Sequence, residues 1–161
     1  MTALANDAWE ALLSAHAVLM KRFAAEHIWG DISMREYDVL YTLSKCPGPV
    51  RPGELNRHVL LSQPALSRLV DRLAERGIVE RKPDPADGRG VLLSLTPAGL
   101  ALQRQVGRLH ARDVARAMTA GLTPGELRRL EAICLKLIRE PAAAAAAGAK
   151  TASDDKDQDA A

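Results

Sequence analysis

Residues 61–77, LSQPALSRLVDRLAERG, carry two stripes on one short helix. Leu66, Leu69, Val70 and Leu73 recur at the three-and-four spacing of one helix face. Arg68, Arg72 and Arg76 run at four-residue spacing along another. Such a helix must bury its leucines in a core while its arginines stay outside. Ser62 is its N-cap, Pro64 is tolerated in its first turn, and Gly77 fits the position that ends it. The flanks then fix the architecture. A short helix expected from about Pro52 to Val59 reaches it through Leu60-Leu61-Ser62 alone, which makes a helix-turn-helix. Strand-like Ile78–Lys82 and Val91–Leu95 follow, bracketing the eight residues PDPADGRG, an overlong hairpin loop stiffened by Pro83 and Pro85. A hairpin placed there makes a winged helix.

The remaining chain surrounds that unit with helices. From Ala8 to about His27, Trp9, Leu12, Leu13, His16, Leu19, Met20 and Phe23 recur at helical spacing. Ser33 with Glu36 predicts a capping box for a second helix, whose apolar face is Val39, Leu40 and Leu43 and whose stop is Pro47-Gly48-Pro49. Thr96-Pro97 reads as N-cap and first residue of a helix to about Ala120. Thr123-Pro124-Gly125-Glu126 opens a last one, whose stripe of Leu127, Leu130, Cys134, Leu137 and Ile138 needs another helix to cover it. Pro141 is expected to end that helix, and 141–161, an alanine run followed by an acidic polar tail, to be disordered. The fold class is mainly α with a small β-hairpin: one domain over 1–140 with its winged helix-turn-helix at about 33–96.

Composition excludes several classes. The net charge of +2 is too small to prove a polyanionic partner. The tail after Glu140 holds two of the lysines and four of the aspartates, so the rest carries +4, and placement of charge must decide. Cys46 and Cys134 form neither a metal-ligand pair nor a disulfide framework, which suits a reducing compartment. The N-terminus lacks the pattern of a signal peptide, and no stretch approaches the apolar length of a membrane span, so the chain reads as cytoplasmic with no membrane partner. His16, His27, His58 and His110 show no paired ligand spacing, so no metal is expected. No nucleophile elbow, phosphate-binding glycine loop or acid/base pair appears, so neither an enzyme nor a cofactor is expected.

The run LSQPALSRLVDRLAERGIVERKPDPADGRGVLLSLTPAG (61–99) resembles the DNA-binding core of the MarR family of bacterial transcriptional regulators. The matching residues are Ser62-Gln63, Ser67-Arg68-Leu69-Val70, Leu73, Gly77, Asp87-Gly88-Arg89, Leu95-Thr96 and Gly99, and the likeness covers about residues 8–140. Two positions depart from the pattern. Val59-Leu60-Leu61 stands where relatives often carry a glycine, and Arg51 stands where Thr or Ser commonly caps the short helix. The resemblance implies a homodimer built from the helices at about 8–27 and 97–140, with winged helices entering successive major grooves of a pseudo-palindromic operator. It also implies repression relieved by an anionic aromatic ligand or by cysteine oxidation, with the protein at the nucleoid when bound to double-stranded DNA.

Under that resemblance the DNA-binding residues are Ser62, Gln63, Pro64, Ser67 and Arg68 on the first two turns of the recognition helix, Arg72 one turn deeper, and Asp87 and Arg89 on the wing. Gln63 suits adenine and Arg68 guanine, Arg72 a phosphate, and Arg89 a narrow minor groove, steadied by Asp87. The plainer reading is a solvated helix face whose arginines pair with Asp71 and Glu75. For regulation, all five aromatics lie within the first 41 residues, and His16, Met20, His27, Trp29, Tyr37 and Tyr41 are the candidate contacts for an aromatic carboxylate. The plainer reading of these aromatics is core and dimer interface. A thiol switch at Cys46 is the alternative, as is a winged-helix architectural or protein-interaction module without a specific operator.

Overall fold

The computed structural model describes residues 1–154, and the side chains of all of these but Arg89 and residues 140–154. In chain order the elements are α1 (Thr2–Ala24), α2 (Met34–Lys45), α3 (Pro52–Asn56), α4 (Gln63–Glu75), β1 (Val79–Asp84), β2 (Asp87–Leu95), α5 (Pro97–Thr119) and α6 (Pro124–Asp154). Two compact units divide the chain. The first, Met1–Ala115, holds the helix-turn-helix and the wing; the second begins at Arg116 and holds the end of α5 and α6.

The core of the first unit is the stripe expected from the leucines. Leu66, Leu69, Val70 and Leu73 of α4 are buried with Val39, Leu40 and Leu43 of α2, Leu55 of α3, and Val79 and Leu93 of the wing. Each such side chain contributes roughly 1.5–3 kcal/mol by leaving water. Ser33 caps α2 reciprocally: its hydroxyl oxygen accepts from the Glu36 N–H, and the Glu36 carboxylate accepts the Ser33 N–H at 2.7 Å. The same carboxylate faces Arg76 at 3.6 Å, which ties the start of α2 to the end of α4. Thr123 and Glu126 repeat the box at the start of α6.

Some boundaries differ from expectation. α1 begins at Thr2, because Ala3, Leu4 and Ala5 favour a helix and no Gly or Pro interrupts the chain before the apolar stripe. α3 is five residues long, and Val59 is buried from the turn that follows it. α6 extends to Asp154, past Pro141, into an alanine run whose high helix propensity opposes the stop. The expected disorder of 141–161 falls in part on 155–161, outside the described residues.

The hairpin is the largest correction. It is not an eight-residue loop: β1 runs on to Asp84, β2 starts at Asp87, and only Pro85-Ala86 connects them. Antiparallel pairing proceeds regularly from Val79↔Leu95 to Pro83↔Val91, then jumps to Asp84↔Asp87, so Gly88, Arg89 and Gly90 bulge from β2. The chain reverses early because the Asp84 carboxylate accepts the Ala86 N–H at 2.9 Å, closing the turn from a side chain. Gly90 packs tightly beside it, since a Cβ there would lie 3.0 Å from the Asp84 Cβ. Val50 adds a third strand contact, pairing with Leu93 through two backbone hydrogen bonds.

The wing base is locked to α4 and α5 at one point. The Thr96 hydroxyl donates to the Gly77 carbonyl at 2.7 Å and its oxygen accepts the Gly99 N–H at 3.0 Å, while the Thr96 N–H reaches the Ile78 carbonyl. Gly77 holds φ +66°, which an L side chain rarely adopts. Gly99 passes so close that a Cβ on it would stand 2.0 Å from the Ile78 carbonyl oxygen. Gly99→Ala should therefore destabilise by about 2–3 kcal/mol, lowering the melting temperature by roughly 5–10 °C. Gly88→Ala, which meets open space, is the control and should melt within about a degree of the parent. Equal melting temperatures for the two variants would refute this account of the lock.

Candidate nucleic-acid interface

α4 turns one side to the core and the other to solvent, and the solvent side is the one singled out from sequence. Ser62, Gln63, Pro64, Ser67, Arg68 and Arg72 are all exposed. Ser62 occupies the N-cap with extended backbone, yet its hydroxyl makes no capping bond; the Ser62 carbonyl accepts the Leu66 N–H instead. Its hydroxyl thus remains at the helix N-terminus beside Gln63, where the helix dipole favours anions.

The neighbouring charges sort themselves into pairs. Asp71 accepts from Arg81 of β1 at 2.5 Å, so its partner comes from the wing and not from the arginines of α4. Arg76 turns to Glu36 and drops out of the expected basic stripe. Among the described residues, Arg68 and Arg72 are engaged in no ion pair, including none with Asp71 or Glu75. Two guanidinium groups are therefore left uncompensated on the exposed face, as a surface that meets phosphates and base edges requires.

The wing stands beside this face. Asp87 is exposed at the first position of β2, opposite Asp84. The backbone of Arg89 lies in the bulge between Gly88 and Gly90, and its side chain is outside the described residues, as is any contact it makes with Asp87.

A second feature lies on the first unit. α2 and α5 enclose an open groove of about 760 Å³ whose walls include Tyr37, Asp38 and Tyr41 from α2 and Gln103, Arg104, Gly107, Arg108 and His110 from α5. Of the six residues expected to meet a ligand, Tyr37 and Tyr41 line it. Trp29 is buried behind it, donating its indole N–H to the Phe23 carbonyl at 2.9 Å. His16 and His27 are exposed and Met20 half-buried, and none of the three lines the groove. The residues missed are those of α5. The spacing Gln103, Gly107, His110, Val114 puts one small residue among larger ones on a single face, a signal that marks close approach; a Cβ on Gly107 would lie 3.0 Å from the Tyr37 hydroxyl oxygen. Burial pushes the Tyr37 phenol up, Gln103 opposing it, and burial also raises Asp38.

His110 sits at the centre of an aromatic cluster, with ring centroids 5.3 Å from Phe23, 5.2 Å from Trp29 and 5.5 Å from Tyr37. Its Nδ1 is buried and makes no hydrogen bond among the described residues. Cys46 donates its thiol to the Thr42 carbonyl at 3.3 Å, and burial, with Glu54 nearby, pushes that thiol up. A thiolate switch requires the opposite shift.

Comparison with known proteins follows the same lines. The model of the MarR family matches residues 31–90. The multiple antibiotic resistance protein MarR of Salmonella typhimurium is 36% identical over 108 residues, covering 67% of this chain and 74% of that protein. The structure of apo wild-type MarR from E. coli aligns with a TM-score of 0.66 at 35% identity, over 76% of this chain and 93% of that one. A mutant MarR from E. coli complexed with operator DNA aligns with a TM-score of 0.69 at 33% identity, over 82% and 96% respectively.

The aromatic cluster makes its own prediction about pH. Burial holds His110 below its ordinary value, with Asp113 pulling the other way, so the folded chain favours the neutral ring. The unfolded chain takes up this proton near about pH 6.5. The contribution to stability is thus complete above that pH and is lost as pH falls towards the folded value. Melting curves between about pH 8 and about pH 5.5 should show the parent losing stability more steeply than His110→Phe. Parallel slopes would exclude His110 as the source.

Proposed function

The chain belongs to the MarR family of transcriptional regulators, and on that footing we propose that it is a homodimeric repressor that reads a pseudo-palindromic operator and leaves it on binding a small aromatic anion. It is a regulator, not an enzyme. The observation that carries the reading is the exposed face of α4, where Arg68 and Arg72 have no ion-pair partner among the described residues, while Asp71 is paired with Arg81 and Arg76 with Glu36. In this reading Ser62, Gln63, Pro64, Ser67 and Arg68 enter the major groove. Gln63 bonds an adenine edge, Arg68 a guanine edge and Arg72 a phosphate. Asp87 and Arg89 carry the wing to the adjacent minor groove, whose negative potential attracts a guanidinium.

Two further features support the finer parts. α1 exposes Leu4, Trp9, Leu12, Leu13 and Val18, and α6 exposes Leu130, Ile133, Leu135, Leu137 and Ile138. Apolar faces of that extent on single helices favour a second copy as their cover. The α2–α5 groove offers aromatic rings at Tyr37 and Tyr41 and cations at Arg104 and Arg108, a chemistry that suits an aromatic carboxylate. Trp29, behind the groove, would sense the ligand through Tyr37; no wall position supports a contact for His16, Met20 or His27.

Competition binding tests the reading. DNA from the promoter of the protein's own operon should bind at least about 10³-fold more tightly than random duplex. Arg68→Ala should weaken binding and relax preference at one base pair, and Arg72→Ala should reduce the salt-dependence slope by about one with little change in preference. Arg89→Ala should weaken operator binding while leaving the fold and the dimer intact. Equal affinity for operator and random DNA would instead favour an architectural binder, and no DNA affinity a protein-interaction module. For the effector, phenolic carboxylates should raise the melting temperature of the parent and not that of Arg104→Ala/Arg108→Ala. A shift that survives both changes would place the ligand elsewhere.

A further inference from the structure

Arg51 has no counterpart role among the DNA-facing residues, yet it makes a close charge contact with the wing. It is the N-cap of α3, where its side chain cannot cap, and it reaches across 33 positions of sequence to Asp84. Its Nε donates to Asp84 Oδ2 at 2.7 Å and its Nη2 lies 2.6 Å from the same oxygen. The other carboxylate oxygen, Oδ1, accepts the Ala86 N–H that closes the wing turn. Asp84 is only 6% exposed, and Gly90 packs against its Cβ. One carboxylate thus joins the turn of the wing to the first helix of the helix-turn-helix.

The geometry gives this joint a mechanical purpose. From the lock at Thr96 to Asp84, β1 rises about 17 Å, so a hairpin held only at its base is a lever. Small rotations there would swing its tip by ångströms. Val50–Leu93 restrains the middle of the wing and Arg51–Asp84 restrains its end. We propose that Arg51 and Asp84 are a positioning pair that sets the pose of the wing relative to α4, so that both elements meet DNA in register. The proposal rests on the reading that α4 and the wing bind DNA. Neither residue reads a base.

Charge alone and positioning predict opposite results for Asp84. Removing a carboxylate raises the net charge, so a purely electrostatic role makes Asp84→Ala bind DNA more tightly. Under the proposal, Asp84→Ala and Arg51→Met each weaken operator binding by about tenfold, the scale of one charge-assisted contact. The double variant Arg51→Met/Asp84→Ala should be no weaker than either single one. Hydroxyl-radical footprints should lose protection at the operator flanks while the central major-groove protections persist. Arg51 is half exposed, so Arg51→Met keeps the test open should Asp84→Ala unfold. Hydrogen exchange of the free protein adds a readout independent of DNA: wing amides should exchange faster in Arg51→Met. Faster exchange with unchanged affinity and footprint would make the pair merely structural and overturn the proposal, as would tighter binding by Asp84→Ala or additive losses. A parent without operator preference fails the premise, and that failure appears before any variant is made.

Discussion

The approach of Gly99 to the Ile78 carbonyl is the contact on which the rest of the first unit depends. It lets α5 begin within van der Waals reach of the residue that ends the α4 turn, and Thr96 fastens the two with hydrogen bonds in both directions. The end of α4, the base of the wing and the start of α5 are thereby one rigid joint. The root of the wing thus keeps a fixed place at the end of α4, while Val50 and Arg51 restrain the hairpin farther out. A side chain at position 99 would part α5 from Ile78, and the core leucines of α4 would lose their seat against Val79 and Leu93.

Much of this was legible because it is local. The leucine stripe of α4, the capping boxes at Ser33 and Thr123, and the restart at Thr96-Pro97 follow from spacing and side-chain chemistry within a few residues. What escaped reading depends on partners far apart in sequence. Pro83, Pro85 and Gly88 look like loop residues, and the contact that holds Asp84 at the end of β1 comes from Arg51, 33 positions away. His110 looked like a stray histidine because its aromatic neighbours lie in α1, α2 and the segment between them. The ligand candidates all come from the aromatic-rich N-terminal part, and which α5 residues face them emerges only once that helix is packed against α2.

The charges show how a nearly neutral chain can still present a cationic face. Asp71, Glu36 and Asp84 each take one arginine, from the wing, from the end of α4 and from the start of α3. The exposed pair of Asp71 and Arg81 adds little stability, typically about 0–1 kcal/mol. The effect of the three pairs is on where the positive potential ends up: the three partners are drawn aside, and the exposed face of α4 keeps Arg68 and Arg72. The net charge of +2 therefore understates the field that an approaching anion meets.

The two tryptophans lie in contrasting surroundings. Trp9 is 58% exposed on α1, whereas Trp29 is 7% exposed and meets Tyr37 and His110 in tilted ring contacts. Their emission should separate, with Trp29 contributing the bluer component and Trp9 the redder, more quenchable one. A protonated imidazole at van der Waals distance quenches indole, and a ring entering the groove perturbs it through Tyr37. The chain thus carries a native optical probe of its own groove, readable without a label.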